Sequence, residues 1–228
     1  MLPIVSSVFA RSVAGLAAGV IFATSAAAQS GSVSGAITTS ARGAAPVRVT
    51  IDQKVCGSAL PDEAIVVDAQ GRLANAVISL IGVRRSAPAE ATVVNERCSF
   101  APRVQVMRPD AIVKTTSKDA VLHTTQAQSE NGRTIFNVAL PVPGITISKP
   151  IGPAGTVRLG CNTHPWMRGW VIVTEFASAI SGADGRFTIA NVPPGTYELR
   201  VWHEVLKGAP RKITVTAGKQ TEINFELK

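Results

Sequence analysis

Cys161-Asn162-Thr163-His164-Pro165-Trp166-Met167 lies between two strand-like runs, Gly155-Thr156-Val157-Arg158-Leu159-Gly160 before it and Gly169-Trp170-Val171-Ile172-Val173-Thr174 after it. A thiol, an imidazole and a thioether thus follow one another at intervals of three residues on one tight loop. Thiolate and thioether are soft donors, and with a second imidazole they compose the trigonal His₂Cys set with a weak axial Met that holds copper in electron-transfer sites. The second imidazole expected is His123, on an earlier strand. The predicted metal ligands are therefore His123, Cys161, His164 and Met167.

The pattern around the loop is that of an all-β chain. In 228 residues there are 14 prolines and 19 glycines, spaced at turn-like intervals, and no long helical periodicity. The chain is 46% hydrophobic and only 17% charged, which supplies material for one large β domain or two small ones and argues against disorder. Predicted strands include Ser32–Thr38, Val47–Ile51, the apolar run Leu73–Ile81, Arg103–Met107, Ala111–Thr116, Ala120–His123 and Thr134–Leu140. A linker is expected over Arg84–Glu90, a polar loop over Gln126–Gly132, and a rigid connection at Pro141, Pro143 and Pro150. Past the central loop, turns at Ala183-Asp184-Gly185-Arg186 and Val192-Pro193-Pro194-Gly195-Thr196-Tyr197 separate further strands.

Residues 1–28 read as an export signal, with Arg11 as the only charge, an apolar run over 13–23 and Ala26-Ala27-Ala28 as the cleavage site. The alternative is an uncleaved anchor, for which the run is short and rich in Ala and Gly. Cleavage near Ala28 implies a periplasmic or secreted protein with no membrane insertion afterwards. Removing Arg11 takes the formal charge from +8 to +7. A basic surface suits nucleic acid, an anionic membrane surface or an acidic protein. The charges are dispersed and aromatics are only 5%, so nucleic acid is the weakest partner class of the three. A surface that favours acidic redox partners, or merely keeps the protein soluble, explains as much. Three cysteines in an exported chain leave one over. Cys56 and Cys98 both sit in turn-like settings, and a disulfide between them leaves Cys161 free for a metal.

On these residues, Ala120–Glu175 resembles the metal-binding half of a cupredoxin, closest to the amicyanin-like branch with its Cys-x-x-His-x-x-Met loop. His123 precedes the cysteine by 38 residues (161 − 123), as the resemblance requires. Where relatives place Asn after the first histidine, this chain has Thr124. The resemblance then implies that the Thr124 hydroxyl takes over that tie while its backbone N–H reaches the Cys161 sulfur. Thr163 and Trp166 likewise stand where Pro and Phe are usual. A second resemblance, to the transthyretin-like or carboxypeptidase-regulatory-type sandwich, rests on Ser181–Phe187 and Val192–Tyr197, with opening strands at Gly31–Thr38 and Leu73–Ile81. Bacterial exported proteins of this combined kind include methylamine-utilisation-like proteins. The organisation implied is a signal (1–28), a first part of the transthyretin-like sandwich (29–87), an inserted Greek-key cupredoxin-like sandwich (88–176) and the remainder of the first sandwich (177–228).

The expected activity is transfer of single electrons between redox partners through one type 1 copper, without enzymatic chemistry. Storage or delivery of copper is the alternative, followed by a non-redox adhesion or binding sandwich with a degenerate metal site. A Cys–His nucleophile would need an orienting acid or amide, and no such residue is evident beside the loop. Zinc suits Cys and His but not the thioether. His203 reads as a hydrogen-bonded structural histidine. Pro165 and Trp166 are placed either around an exposed edge of His164, with Arg158 and Arg168 nearby, or in the core. Tyr197 reads as a sandwich-corner tyrosine.

Overall fold

The computed structural model describes residues 29–228, so the expected export signal lies outside the described residues. Among the described residues no helix is long and apolar enough to cross a membrane. The chain opens with β1 (Gly31–Thr38), β2 (Val47–Arg48), a one-turn helix α1 (Gln53–Cys56), β3 (Ala59–Leu60) and β4 (Val77–Arg84). Nine strands follow: β5 (Glu90–Glu96), β6 (Ser99–Ala101), β7 (Val104–Met107), β8 (Ile112–Ser117), β9 (His123–Ser129), β10 (Thr134–Leu140), β11 (Thr146–Pro150), β12 (Gly155–Gly160) and β13 (Arg168–Val173). The last six are β14 (Phe176–Ile180), β15 (Arg186–Val192), β16 (Gly195–Trp202), β17 (Arg211–Val215), β18 (Gln220–Glu222) and β19 (Phe225–Glu226).

These strands make two sandwiches, and the chain is all-β as its turn spacing predicts. In the central one, a sheet ordered β10-β9-β12-β13-β7 faces a sheet ordered β11-β8-β5-β6. Within it β13 pairs with β7, and β5 with β8, in parallel, so connections must cross between sheets in Greek-key fashion. The other sandwich sets β15-β1-β18, with β19 also on β1, against β14-β4-β16-β17. Its core includes Val33, Ile37, Leu73, Leu80, Ile189, Leu199 and Leu227. The strands that enter and leave the central sandwich, β4 and β14, are hydrogen-bonded neighbours. Arg85 N–H donates to the Glu175 carbonyl where the two connections run side by side.

Glycine and tyrosine fix the tight places. A Cβ on Gly35 would overlap the Ile223 carbonyl, and one on Gly195 would stand 2.8 Å from the Tyr197 hydroxyl oxygen. That hydroxyl donates to the Pro193 carbonyl at 3.0 Å, the corner bond expected of Tyr197. Between the sandwiches, Val77, Val104 and Ile172 are buried together, with Trp170 and Trp202 edge-on at 5.5 Å. Arg103 crosses the same boundary: its guanidinium donates to both Glu204 oxygens at 2.9 and 3.0 Å and to the Arg168 carbonyl at 3.3 Å.

Several expected elements take other forms. The apolar run from Leu73 divides at Asn75, whose φ of 63° is left-handed, and β4 begins only at Val77. The predicted strand over Val47–Ile51 shrinks to two residues, because only Val49 points inward while Ile51 is 42% exposed. The rigid proline connection instead contains an edge strand, β11, ending at Pro150, where a missing N–H is tolerated. Most consequential, residues 47–60, between β1 and β4 in the chain, leave the sandwich those strands build. Val49 and Cys56 are buried in the core of the central sandwich, so this segment lies over it as a strap.

Candidate metal centre

The site is assembled from one strand start, one loop and the strap. Alternation along β9 turns His123, Thr125 and Ala127 inward, each wholly buried. His123 therefore begins a strand and does not end one. The inward residues are polar or small, so the expected polar loop over Gln126–Gly132 is largely strand, with only its tip turning at Gly132. Beneath His123, Thr115 and Thr125 share a hydroxyl hydrogen bond of 2.6 Å, and the Asn95 amide donates to Thr125 at 3.3 Å, joining the two sheets. In the same sheet as β9, β12 and β13 hold the two ends of the loop, and Met167 N–H donates to the His164 carbonyl at 2.9 Å to close its turn.

Three of the four expected ligands converge. The ligand atoms of His123, Cys161 and His164 all lie within 4.8 Å of one another. Cys161 Sγ is 3.9 Å from His123 Nδ1 and 3.7 Å from His164 Nδ1. Met167 is buried in the same core cluster as Cys161, on the loop that carries His164. Thr124 makes the tie expected of it: its backbone N–H points at Cys161 Sγ at 3.3 Å, and its hydroxyl accepts from Asn162 N–H at 2.8 Å. Cys56 and Cys98 are disulfide-bonded and Cys161 is free, as the odd count predicts. Cys98 also falls within 4.8 Å of Asp119 and His123, but its sulfur is spent in the disulfide and offers no thiolate.

Two carboxylates orient the imidazoles, and sequence reasoning missed both. Asp119 Oδ2 meets His123 Nε2 at 2.9 Å, and Asp52 Oδ2 meets His164 Nε2 at 3.0 Å. A carboxylate accepts, so each Nε2 carries a proton, and in the neutral imidazole that binds a metal this leaves the Nδ1 lone pair on the Cys161 side. Asp119 is itself pinned by N–H groups of Arg97 and Cys98, both at 2.8 Å. It lies four residues before His123, where it reads simply as a turn residue. Asp52 is 112 residues from His164 and carries no local signal.

Burial pushes the Cys161 thiol up, but hydrogen bonds from His123, the Thr124 backbone N–H and His164 outweigh it and hold it down to about 5. For His123 burial opposes protonation, while the Cys161 sulfur and Asp119 favour it and prevail, raising its pKa. A thiol so lowered is thiolate at neutral pH, the form in which sulfur binds a metal.

The expected exposed edge of His164 is not found. His164 is 0% exposed, with the strap lying over it and Asp52 on its outer nitrogen. Trp166 does not form an open patch either. Its Nε1–H donates to the Cys98 carbonyl at 3.2 Å, and its ring stands 5.1 Å from His164. Arg168 is exposed at the start of β13, while Arg158 turns onto Gln128 on the sheet face.

His203 lies in the other sandwich, with Nδ1 accepting from the N–H groups of Val205 and Leu206 at 3.4 and 3.3 Å. Burial, then the nearby Arg103 and Lys207 charges, lower its pKa to about 4. Its folded pKa lies below its unfolded value, so between about pH 6.5 and 4 the unfolded chain binds more protons. Stability is therefore expected to fall across that window by on the order of 2 kcal/mol from this group. In His203→Asn the side-chain oxygen keeps the acceptor but cannot titrate. Urea midpoints at the two ends of the window should differ less for that variant than for the parent.

Fold and site together define an all-β protein of two sandwiches with a buried Cys–His–His centre. Residues 155–228 match the family model of the Carboxypeptidase regulatory-like domain. The match begins at β12, so it takes in β12 and β13 of the central sandwich before covering β14 to β19. Among solved structures, the chain is similar to a purple cupredoxin from Nitrosopumilus maritimus, at 24% identity over 37% of this chain and 99% of that one, with a TM-score of 0.33. A reduced amicyanin variant is 18% identical over 44% of this chain and 99% of its own, with a TM-score of 0.34. A copper-containing nitrite reductase from Thermus scotoductus is 21% identical over 42% of this chain but 24% of its own, with a TM-score of 0.32. No curated protein matches the chain.

Proposed function

We propose that this chain is an exported type 1 copper protein that carries single electrons between larger redox proteins. The observation that supports this most is the convergence of two imidazole Nδ1 atoms on one lowered, buried thiol, each imidazole held from behind by a carboxylate. The donor set fits copper: a soft thiolate and two neutral imidazoles, with the Met167 thioether on the same loop as the axial candidate. Bound copper would supply a one-electron couple. The chain's own part is to fix the donors on strands, so that little rearrangement accompanies a change of oxidation state, and to keep water from the thiolate. A nucleophilic role for Cys161 is less well supported even with Asp52 and Asp119 as orienters. Cys161 is only 6% exposed and both histidines are wholly buried, so a scissile bond has no approach.

The proposal includes cleavage near Ala28, a periplasmic or secreted location and acidic redox partners for the basic surface. Burial of His164 favours a second reading, in which the centre retains copper for storage or delivery. Titrating the apo protein with Cu(II) is expected to give an intense visible thiolate-to-copper absorption that saturates at one copper per chain. A folded, reduced sample that develops no such band would overturn the electron-transfer reading. Rapid passage of Cu(I) to an apo acceptor would favour the second.

A further inference from the structure

We infer that Asp52 is a positioning residue of the metal centre: the strap brings its carboxylate onto His164 Nε2, fixing which nitrogen faces Cys161 and closing the centre on that side. The inference rests on the reading of this cluster as a metal centre.

Asp52 stands where a helix N-cap belongs, and its carbonyl accepts from the N–H groups of Val55 and Cys56. An Asp there ordinarily turns its carboxylate onto the first free N–H groups of the helix. Here it makes no such bond, and Oδ2 goes to His164 at 3.0 Å. Asp52 also holds a φ of 52°, a left-handed conformation uncommon outside Gly, Asn and Asp. The local chemistry of α1 thus gives up its capping bond, and the bond formed in its place lies across the strap.

The strap is folded on itself and tied down by a disulfide. Val49 N–H donates to the Ser58 carbonyl and the Gln53 side-chain amide to the Val49 carbonyl at 2.7 Å, both within the strap, and Cys56 is bonded to Cys98 of the central sandwich. Cys98 is shared by both halves of the site. Its N–H donates to Asp119, the carboxylate behind His123, while its sulfur holds the strap that carries Asp52. The two carboxylates differ in one respect. Asp119 is buried and pinned by two backbone N–H groups, whereas the Asp52 side chain is 38% exposed and makes no hydrogen bond other than that to His164 among the described residues. Asp52 can therefore be altered without leaving a buried charge behind. Groups that hold the far nitrogen of a ligating histidine fix its tautomer and strengthen it as a donor, and their loss lowers metal affinity about 10- to 100-fold.

The test uses the full mature chain as parent, Asp52→Asn and Asp52→Ala. In the apo protein, long-range ¹H–¹⁵N spectra of the imidazoles report the tautomer of His164 directly. The parent should hold Nε2–H in slow exchange with water, Asp52→Asn should retain that tautomer through its amide oxygen, and Asp52→Ala should lose it or exchange it fast. With copper loaded, release to a chelator should quicken about 10- to 100-fold in Asp52→Ala and less in Asp52→Asn. If Asp52→Ala leaves tautomer, exchange and copper release within twofold of the parent, the inference is overturned. The arms separate the two claims: a parent with no copper–thiolate band overturns the proposed function, while the apo imidazole spectra still decide for or against Asp52. If the alanine variant does not fold, a loss of the Nε2–H signal in Asp52→Asn would itself count against positioning by an acceptor.

Discussion

Cys161→Ser is expected to abolish the visible copper band and to weaken copper binding by more than about 100-fold, exceeding the loss usual for an outer partner of a ligand. The reason is electronic. A serine hydroxyl is a hard donor that stays protonated at neutral pH, whereas Cys161 is held down to about 5 by the groups around it. The fold should survive. The Thr124 N–H that points at the sulfur at 3.3 Å can donate to a hydroxyl oxygen instead, and the strands on either side of the loop are untouched. A change of about 1 kcal/mol in unfolding free energy is expected for exchanging one buried hydrogen-bonding group for another. Absorption and paramagnetic resonance spectra of the copper-treated variant, beside a urea unfolding curve, check both halves. A persisting charge-transfer band would mean that some other sulfur binds the copper. A folding failure would mean that the thiol is chiefly a packing residue.

What could be read ahead of the structure was local in sequence. Cys161, His164 and Met167 occupy one loop, so their spacing alone indicates a shared centre. The disulfide followed from an odd cysteine count, and the Tyr197 corner bond spans four residues. The unread parts are those where polar residues face inward or partners lie far apart. The inner face of β9 is His123, Thr125 and Ala127, which has no hydrophobic alternation to reveal a strand. Val47–Ile51 has the composition of a strand, yet its only deeply buried residue is Val49, which anchors a strap on the other sandwich. Nothing in the sequence near Asp52 points to a histidine 112 residues away. The consequence for function is substantial, because the histidine edge expected to meet partners is covered. On the proposed function, electrons or copper would then pass through or beside the strap.

Removing the tether in a Cys56→Ala/Cys98→Ala variant should therefore have the largest effect on the closure of the site. Both cysteines are replaced, so that neither leaves a thiol to compete with Cys161 for copper. The disulfide closes a loop of 42 residues in sequence separation, for which chain-entropy reasoning gives about 4 kcal/mol. That stabilisation is not expected to fall evenly on the molecule. The β2–β3 ladder only closes the strap on itself, so its remaining anchors are the buried Val49 and the Asp52–His164 bond, while each sandwich keeps its own core. Release should be local opening, with the amides of Val49 and Cys56 losing hydrogen-exchange protection long before those of β12 or β13. His164 would then gain solvent, Nε2–H would exchange rapidly, and copper would leave the loaded protein faster than it leaves Asp52→Ala, since tether and carboxylate are lost together. Protection at Val49 and Cys56 unchanged from the parent would show that the strap is held by packing alone. The disulfide would then contribute nothing to closing the centre. Protection lost equally in β12 and β13 would show instead that strap and central sandwich unfold as one cooperative unit.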